Sequence, residues 1–220
     1  MILSNFNNTQ KICFKGKATG VSQSIIDALL QYKGNPYDLN LKLRGADKAR
    51  LTRIEKQIKD GILQAPREIL KEDTFVYRGI GDTWSFEPLT DLKVGEIYQD
   101  KGFASVSPFE RVAKQFRYSV GVIAKIFLPK GSEVINIDSV LLNNYDKLPN
   151  YKKEFYDSVQ NPNFELLLLP NSKFHVKSYS NKGSIFDPDK HINGYDQQSH
   201  GTFEFDYLPQ KTFSKAKPRN

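Results

Sequence analysis

Residues 163–170 read NFELLLLP and are the most diagnostic stretch of the chain. Four consecutive leucines followed by a proline predict a buried strand over residues 164–169. Glu165 places a carboxylate in this apolar run, where acidic side chains are rare unless a partner compensates their charge. Glu165 is therefore either a strand-edge residue that faces solvent or a functional carboxylate beside a ligand.

Two earlier segments also place one polar residue among hydrophobic ones. Residues 74–79 read TFVYRG and residues 102–107 read GFASVS. Arg78 ends the first strand with a planar guanidinium, a group that suits phosphate recognition, and Gly79 would let the backbone approach a ligand closely. Considered alone, Arg78 is better explained as an edge-strand arginine paired with a surface carboxylate. Ser105 has no local structural explanation.

Helices are predicted before these segments and mainly strands after them. Apolar residues recur at helical spacing over 25–30 and 46–63. A short helix capped by Ser107 should follow, with Ala113 and Phe116 facing inward. This order predicts an α+β domain and not alternating βαβ units. The predicted strands cover residues 74–77, 97–98, 103–106, 121–128, 133–137, 164–169 and 173–179, and residues 203–208 alternate like an edge strand.

Length and composition indicate one globular domain. The chain has 220 residues, of which 39% are hydrophobic and 12% aromatic, enough for a sizeable core. We expect this core to cover about residues 22–180, followed by a C-terminal extension, 181–220, with a basic tail. A single cysteine, Cys13, excludes a disulfide framework. No run approaches 18 apolar residues, so no membrane span is expected.

The formal net charge is +7. Part of it lies in residues 41–60, where seven Lys or Arg residues accompany three acids, and part in residues 212–220. Such runs are usually solvated surface. The alternative is that these basic patches attract nucleic acid or an acidic protein face.

Other chemistries have weaker support in the sequence. His175, His191 and His200 are too dispersed, and the lone cysteine too isolated, to suggest a zinc site. Residues 79–81 read GIG and lack the third glycine and following helix of a dinucleotide fingerprint. No Gly-Lys-Ser/Thr phosphate-binding loop is present in the sequence.

The order Arg78, Ser105, Glu165, each on a predicted strand, resembles the Arg-Ser-Glu signature of mono-ADP-ribosyltransferases of the bacterial toxin and bacteriophage type. The resemblance covers roughly residues 25–179. It implies an α+β ADP-ribosyltransferase fold, with N-terminal helices packed beside two small, mostly antiparallel sheets that form an NAD cleft. It also implies that NAD is the substrate and that no metal is needed.

The resemblance also implies a role for each site residue. Arg78 would bind the NAD phosphates with Gly79 beside it, and Ser105 would orient the catalytic carboxylate and support the nicotinamide ribose. Glu165 would stabilise the ribosyl cation, and Phe116 would pack on the nicotinamide ring, although ordinary helix core explains that aromatic equally well. Two departures from the family pattern stand out: Val106 replaces the common middle Thr of the Ser motif, and the spacing from Glu165 to the next proline is one residue longer, which a bulge could absorb.

The residue two positions before the catalytic Glu relates to the acceptor in this family. It is usually Glu in arginine-modifying relatives and often Gln in asparagine- or cysteine-modifying ones, and here it is Asn163. We expect Asn163 and Tyr156, in the polar connection 142–163, to recognise a target protein, with arginine as the acceptor. The open alternatives are a nucleic-acid acceptor and a non-catalytic binding module that keeps the fold.

Localisation and assembly follow as expectations. The first residues show no basic segment followed by an apolar run, so no signal peptide is expected. The resemblance implies a cytoplasmic enzyme, in a host cell if a bacteriophage delivers it, or a toxin exported by another route. We expect a monomer that does not bind membranes.

Overall fold

The computed structural model describes residues 14–15, 20–80, 89, 92–116, 122–148, 150–151, 153–154, 164–180 and 201–209. Tyr156 and Asn163 lie outside these residues, as do the whole segment 181–200, which carries His191 and His200, and the basic tail 212–220. The roles predicted for them therefore remain sequence-based. No helix among the described residues is long and apolar enough to cross a membrane.

Three helices precede the first long strand. They are α1 (Gln23–Gly34), α2 (Tyr37–Arg44) and α3 (Arg53–Gln64). The helix predicted over 46–63 begins only at Arg53, because Thr52 and Glu55 form a capping box there, with Thr52 Oγ1 accepting from Glu55 N–H and the Glu55 carboxylate accepting from Thr52 N–H. Two later helices are α4 (Glu110–Phe116) and α5 (Ile137–Asn143). Neither α2 nor α5 was predicted from the sequence, and α5 occupies the start of the expected connection.

The strands form two five-stranded sheets within the described residues. In the first sheet the order is β1 (Phe14–Lys15), β2 (Glu68–Leu70), β7 (Glu133–Asn136), β8 (Leu166–Leu168) and β5 (Ala104–Val106). In the second it is β3 (Thr74–Ile80), β6 (Val122–Leu128), β10 (Thr202–Leu208), β9 (Ser172–Ser180) and β4 (Ile97–Asp100). All neighbours are antiparallel except β6 and β10, which are parallel. The predicted α+β class with mostly antiparallel sheets is confirmed.

Strand β10 corrects one prediction. It lies in the interior of the second sheet, paired with β6 on one side and β9 on the other, and is not an edge strand. Its alternation arises because Phe203, Phe205 and Tyr207 face the core while Glu204 and Asp206 lie on the other face. Period-2 alternation reports one solvated face and carries no information about lateral neighbours. The ordered core therefore extends beyond the expected limit near residue 180.

The molecule has three layers: helices, the first sheet and the second sheet. Leu167 packs with the helices, whereas Leu166 and Leu168 pack against the second sheet. Strand β8 is thus buried on both faces, which explains its uninterrupted leucines. Its pairing with β5 and β7 runs in continuous register. The bulge suggested to absorb the longer spacing to the proline therefore does not lie within the paired residues Leu166–Leu168.

Candidate functional site

The three predicted residues lie close together where the two sheets meet. Arg78 is in β3 of the second sheet, and Ser105 is in β5 of the first. Glu165 directly precedes β8, whose residues Leu166 and Leu167 pair with Val106 and Ser105. A bridge between Tyr77 and Ser107 joins the two sheets at this point. This junction places Arg78 and Ser105 on the two strands that face each other across the sheet boundary. The order of the residues in the sequence does not reveal it.

Glu165 does not take the position expected of a residue within a strand. It precedes β8, after Phe164, whose φ of 45° is unusual for a bulky residue. This backbone conformation redirects the chain just before the carboxylate. The Glu165 side chain is 17% exposed, so it is not a strand-edge group pointing to solvent. The structure thus disfavours the solvent-facing alternative raised by the sequence.

Ser105 connects Glu165 to a buried tyrosine. The hydroxyl of Tyr32, in α1, lies 3.2 Å from Ser105 Oγ and accepts a 2.9 Å hydrogen bond from Asn40 Nδ2. Asn40 Oδ1 in turn accepts from the backbone N–H of Phe103. Ser105 also hydrogen-bonds Glu165. An ionised carboxylate only accepts, so Ser105 donates to Glu165 and Tyr32 donates to Ser105. The result is a directed chain of hydrogen bonds that ends on the carboxylate.

Burial and nearby charges set the protonation of this cluster. Burial raises the pKa of Glu165, whereas the Lys33 ammonium and the Ser105 hydrogen bond lower it and the Asp138 charge raises it further. The pKa of Tyr32 is raised to about 12, chiefly by burial and then by the charge of Glu165, with Arg78 acting in the opposite direction. Tyr32 is therefore a neutral hydrogen-bond donor at physiological pH.

Arg78 is held by a buried carboxylate. Its Nη1 donates to Asp100 Oδ2 at 2.6 Å, and the same carboxylate accepts from Arg44 Nε at 2.8 Å and Nη2 at 3.0 Å. Burial alone would raise the pKa of Asp100, but the two guanidinium groups hold it below its usual value. Two cations and one anion leave a net charge of +1 on the cluster. This surplus suits an anionic ligand.

Gly102 is required by close packing under this cluster. A Cβ at this position would lie 2.8 Å from Asn40 Oδ1 and 3.1 Å from Arg44 Cζ. The backbone N–H of Gly102 also donates to Asp100 Oδ1 at 2.9 Å. The glycine therefore lets α2 bring Asn40 and Arg44 against the start of the serine segment.

The remaining predicted residues have a looser relation to the cluster. Gly79 follows Arg78 in β3 and pairs with Ile123. Phe116 ends α4 and is 44% exposed, so the expectation that it faces inward is wrong, while Ala113 is buried as predicted. The exposure of Phe116 rules out its explanation as ordinary helix core, and its stacking on nicotinamide remains an untested prediction.

Sequence reasoning missed the residues that support the site. Four of them come from helices and one from the end of β4: Tyr32, Lys33, Asn40, Arg44 and Asp100. No sequence spacing links them to the strands. Only Asp100 had a weak sequence signal, because it lies two residues before Gly102, where the segment that carries Ser105 begins.

For the NAD cleavage that the family resemblance implies, replacing Tyr32 with Phe should lower turnover by about fivefold without weakening NAD binding, because Ser105 loses the donor that directs its own proton toward Glu165. Steady-state NAD hydrolysis together with calorimetric NAD titration would measure both quantities. Tyr37→Phe is the matched control, since Tyr37 is 51% exposed. A parallel loss of stability and NAD affinity, with unchanged turnover, would show that Tyr32 is only a packing residue.

Metal coordination has no support in the described part of the chain, where no group of three or more His, Cys, Asp or Glu side chains could hold an ion.

Comparison with known proteins gives matches among solved structures only. No family model and no curated protein sequence matches the chain. Exoenzyme S from Pseudomonas aeruginosa, in complex with human 14-3-3 protein beta and bound to carba-NAD, has a TM-score of 0.57 at 18% identity, over 90% of this chain and 81% of that one. C3stau2 from S. aureus with NAD has a TM-score of 0.55 at 18% identity, over 88% and 90%.

A third structure differs in its bound molecule. The ADP-ribosyltransferase Vis in complex with agmatine has a TM-score of 0.57 at 12% identity, over 91% of this chain and 81% of that one. At such identities the likeness concerns the fold and not the activity. Together with the helices, the two sheets and their junction, it shows that this chain has the fold of the ADP-ribosyltransferase toxins.

Proposed function

We propose that this protein is an NAD-dependent mono-ADP-ribosyltransferase. The observation that carries the proposal is the environment of Glu165, a largely buried carboxylate that Ser105 hydrogen-bonds at the junction of the two sheets. Arg78 lies at the same junction, because it follows Tyr77, which bridges to Ser107 two residues after Ser105. The buried carboxylate suits the ribose of NAD, where positive charge develops. The neighbouring guanidinium suits the pyrophosphate.

Glu165 would act on the bond between nicotinamide and ribose. That bond breaks with its electron pair going to the nicotinamide nitrogen, which becomes neutral, and positive charge develops on the ribose. A preorganised carboxylate in a dry site stabilises such a charge strongly. The acceptor nucleophile then forms a bond to the ribose carbon and releases its proton to solvent, and the carboxylate is unchanged.

The Arg78 cluster would bind the pyrophosphate. Asp100 accepts from both Arg44 and Arg78 and fixes their orientation, yet it neutralises only one of the two positive charges. Of the two, only Arg78 lies in a predicted motif, and 18% of its side chain is accessible, compared with 13% for Arg44. A guanidinium with one nitrogen fixed to a carboxylate keeps others for phosphate.

The acceptor is proposed to be a protein, and the modified residue an arginine. Support comes from the family resemblance. The agmatine bound to Vis belongs to that protein, and its guanidine group, like that of an arginine side chain, supports the proposal. A polyanionic acceptor remains the competing proposal, based on the net charge of +7.

Asn163→Glu should raise transfer to agmatine while NAD hydrolysis changes little. An acid at this position would hold or deprotonate a guanidinium, whereas a neutral amide does so less well. Agmatine is the acceptor in the assay, so the natural target need not be known. Asn161→Glu, two residues earlier, is a control for added charge alone. Modification of agmatine by neither protein would overturn the arginine assignment.

Labelled NAD tests the function itself. The protein should release nicotinamide from NAD and transfer label to material in a cell lysate. If nuclease treatment removes the labelled product, the acceptor is nucleic acid; if protease removes it, the acceptor is protein. Absence of both hydrolysis and transfer would leave the chain as a binding module that keeps the fold.

A further inference from the structure

Lys33 is a buried cation that the proposed chemistry has not used so far. It follows Tyr32 in α1, and its side chain is only 3% exposed. Nζ lies 2.9 Å from Asp138 Oδ1 and 3.7 Å from Glu165 Oε2. Burying an ammonium is costly unless opposite charge surrounds it. Two carboxylates supply that charge, and one of them is the proposed catalytic group.

Asp138 holds Glu165 by a second contact. Its Oδ2 accepts a 2.9 Å hydrogen bond from the backbone N–H of Glu165, and Glu165 C=O accepts from Ile137 N–H. The first turn of α5 therefore fixes the backbone that carries the catalytic carboxylate. Lys33 lies between this fixed acid and the Glu165 side chain.

The contact from Lys33 is electrostatic in character. Although Nζ and Asp138 Oδ1 are within ion-pair distance, neither atom has a hydrogen-bond partner of good geometry in the structure. The ammonium is thus held by the two negative charges and keeps unused donor capacity toward Glu165. A group with this freedom can strengthen its contact with one carboxylate at the expense of the other.

We propose that Lys33 is a positioning residue that keeps Glu165 ionised and oriented. Asp138 offsets part of the ammonium charge, so that less of it opposes the negative charge of Glu165. This inference rests on the proposed transferase function. Without Lys33, a buried Glu165 would bind a proton at a higher pH than in the wild type, and a neutral acid cannot stabilise a cation. Without Asp138, the whole ammonium charge would act on Glu165 and weaken the electrostatic stabilisation that Glu165 gives to the ribosyl cation.

Among the residues that the structure describes, the other groups around Glu165 do not supply a replacement cation. Ser105 of β5 contributes a neutral hydrogen bond, and Tyr32 of α1 lies behind it as a neutral hydroxyl. Arg78 of β3 acts on Tyr32 but is paired with Asp100. Lys33 is therefore the cation that lowers the pKa of Glu165, acting against both burial and Asp138.

The two charges predict opposite changes in the pH dependence of NAD hydrolysis. Lys33→Met should raise the pKa of Glu165 and move the acidic limb to higher pH. Activity below the new limb should fall about tenfold for each pH unit that the limb moves, and it should recover in alkaline buffer. Asp138→Asn removes a negative charge, keeps an acceptor for Glu165 N–H, and should move the limb to lower pH. Lys33→Arg should restore much of the profile.

A double variant keeps the test valid if Lys33→Met alone fails to fold. Lys33→Met with Asp138→Asn removes both buried charges, and the acidic limb should still lie above that of the wild type, because the Lys33 charge affects the pKa of Glu165 more than the Asp138 charge does. Lys42→Met is the matched control, because Lys42 forms a 2.7 Å ion pair with Glu55 that does not involve Glu165. Its limb should not move.

A second readout separates this inference from the proposed function. The carboxyl carbon of Glu165 can be titrated by NMR in the absence of NAD, with Glu165→Gln identifying its signal. Wild-type protein that never cleaves NAD would overturn the function, whereas the NMR titration would still report on Lys33. An unchanged Glu165 titration in Lys33→Met or in the double variant would overturn the inference.

Discussion

Glu165→Gln should reduce the rate of NAD cleavage by about 100-fold or more while NAD still binds. The amide keeps the shape of the side chain and can still accept from Ser105, so the hydrogen-bond chain from Tyr32 survives. What is lost is the negative charge facing the developing ribosyl cation. The charge of Lys33 is still balanced by Asp138, 2.9 Å away, so the folded state should persist.

Single-turnover release of labelled nicotinamide is the measurement for this variant, with NAD binding checked by calorimetry. Glu204→Gln provides the control, because Glu204 is a 45% exposed glutamate paired with Lys125 on the second sheet. Transfer at the wild-type rate by Glu165→Gln would remove Glu165 from the chemistry. Loss of NAD binding along with activity would instead indicate that the substitution disturbs the pocket.

The strands of the site were predictable because their signals are local. The four leucines of residues 166–169 and the Arg78 strand carry period and composition cues within a few residues. The Arg-Ser-Glu order then suggested that three distant strands converge. What the order did not contain is the Tyr77–Ser107 bridge that joins the sheets.

The supporting shell was not predictable from the same cues. Tyr32 and Lys33 lie in a helix whose apolar periodicity only predicts a buried face, and a buried tyrosine or lysine is not distinguished by spacing. Asp138 lies in α5, a helix whose residues were predicted as a strand end and a polar connection. Such contacts depend on how helices pack on the first sheet, a tertiary effect that overrides local pattern.

The same limit explains the treatment of β10. Its alternation was recognised correctly, yet its neighbours β6 and β9 come from distant parts of the chain. A strand's lateral position is set by pairing, which no single segment encodes. The prediction for Phe116 failed for a different reason. Helical spacing predicted an inward-facing side chain, but Phe116 is the last residue of α4 and is exposed.

Arg78→Lys should weaken NAD binding by about 10- to 100-fold, the range expected from loss of one or two charge-assisted hydrogen bonds. In the wild type, Asp100 engages Nη1 of Arg78 at 2.6 Å, which leaves the rest of the planar guanidinium for phosphate. A lysine offers one nitrogen on a flexible stem. Asp100, a fully buried carboxylate, would compete for that ammonium, so the phosphates would lose both a donor and its orientation.

Calorimetric titration with NAD measures the affinity, and thermal unfolding reports whether the pairing with Asp100 survives. Arg50→Lys serves as the control, because Arg50 is exposed in the segment before α3. If the dissociation constant for NAD is unchanged while the melting temperature falls, Arg78 is a structural partner of Asp100 and the pyrophosphate must be bound elsewhere. If affinity falls and stability does not, then the surplus charge of the Arg44–Asp100–Arg78 cluster is what attracts the substrate, and Asp100 serves to aim it.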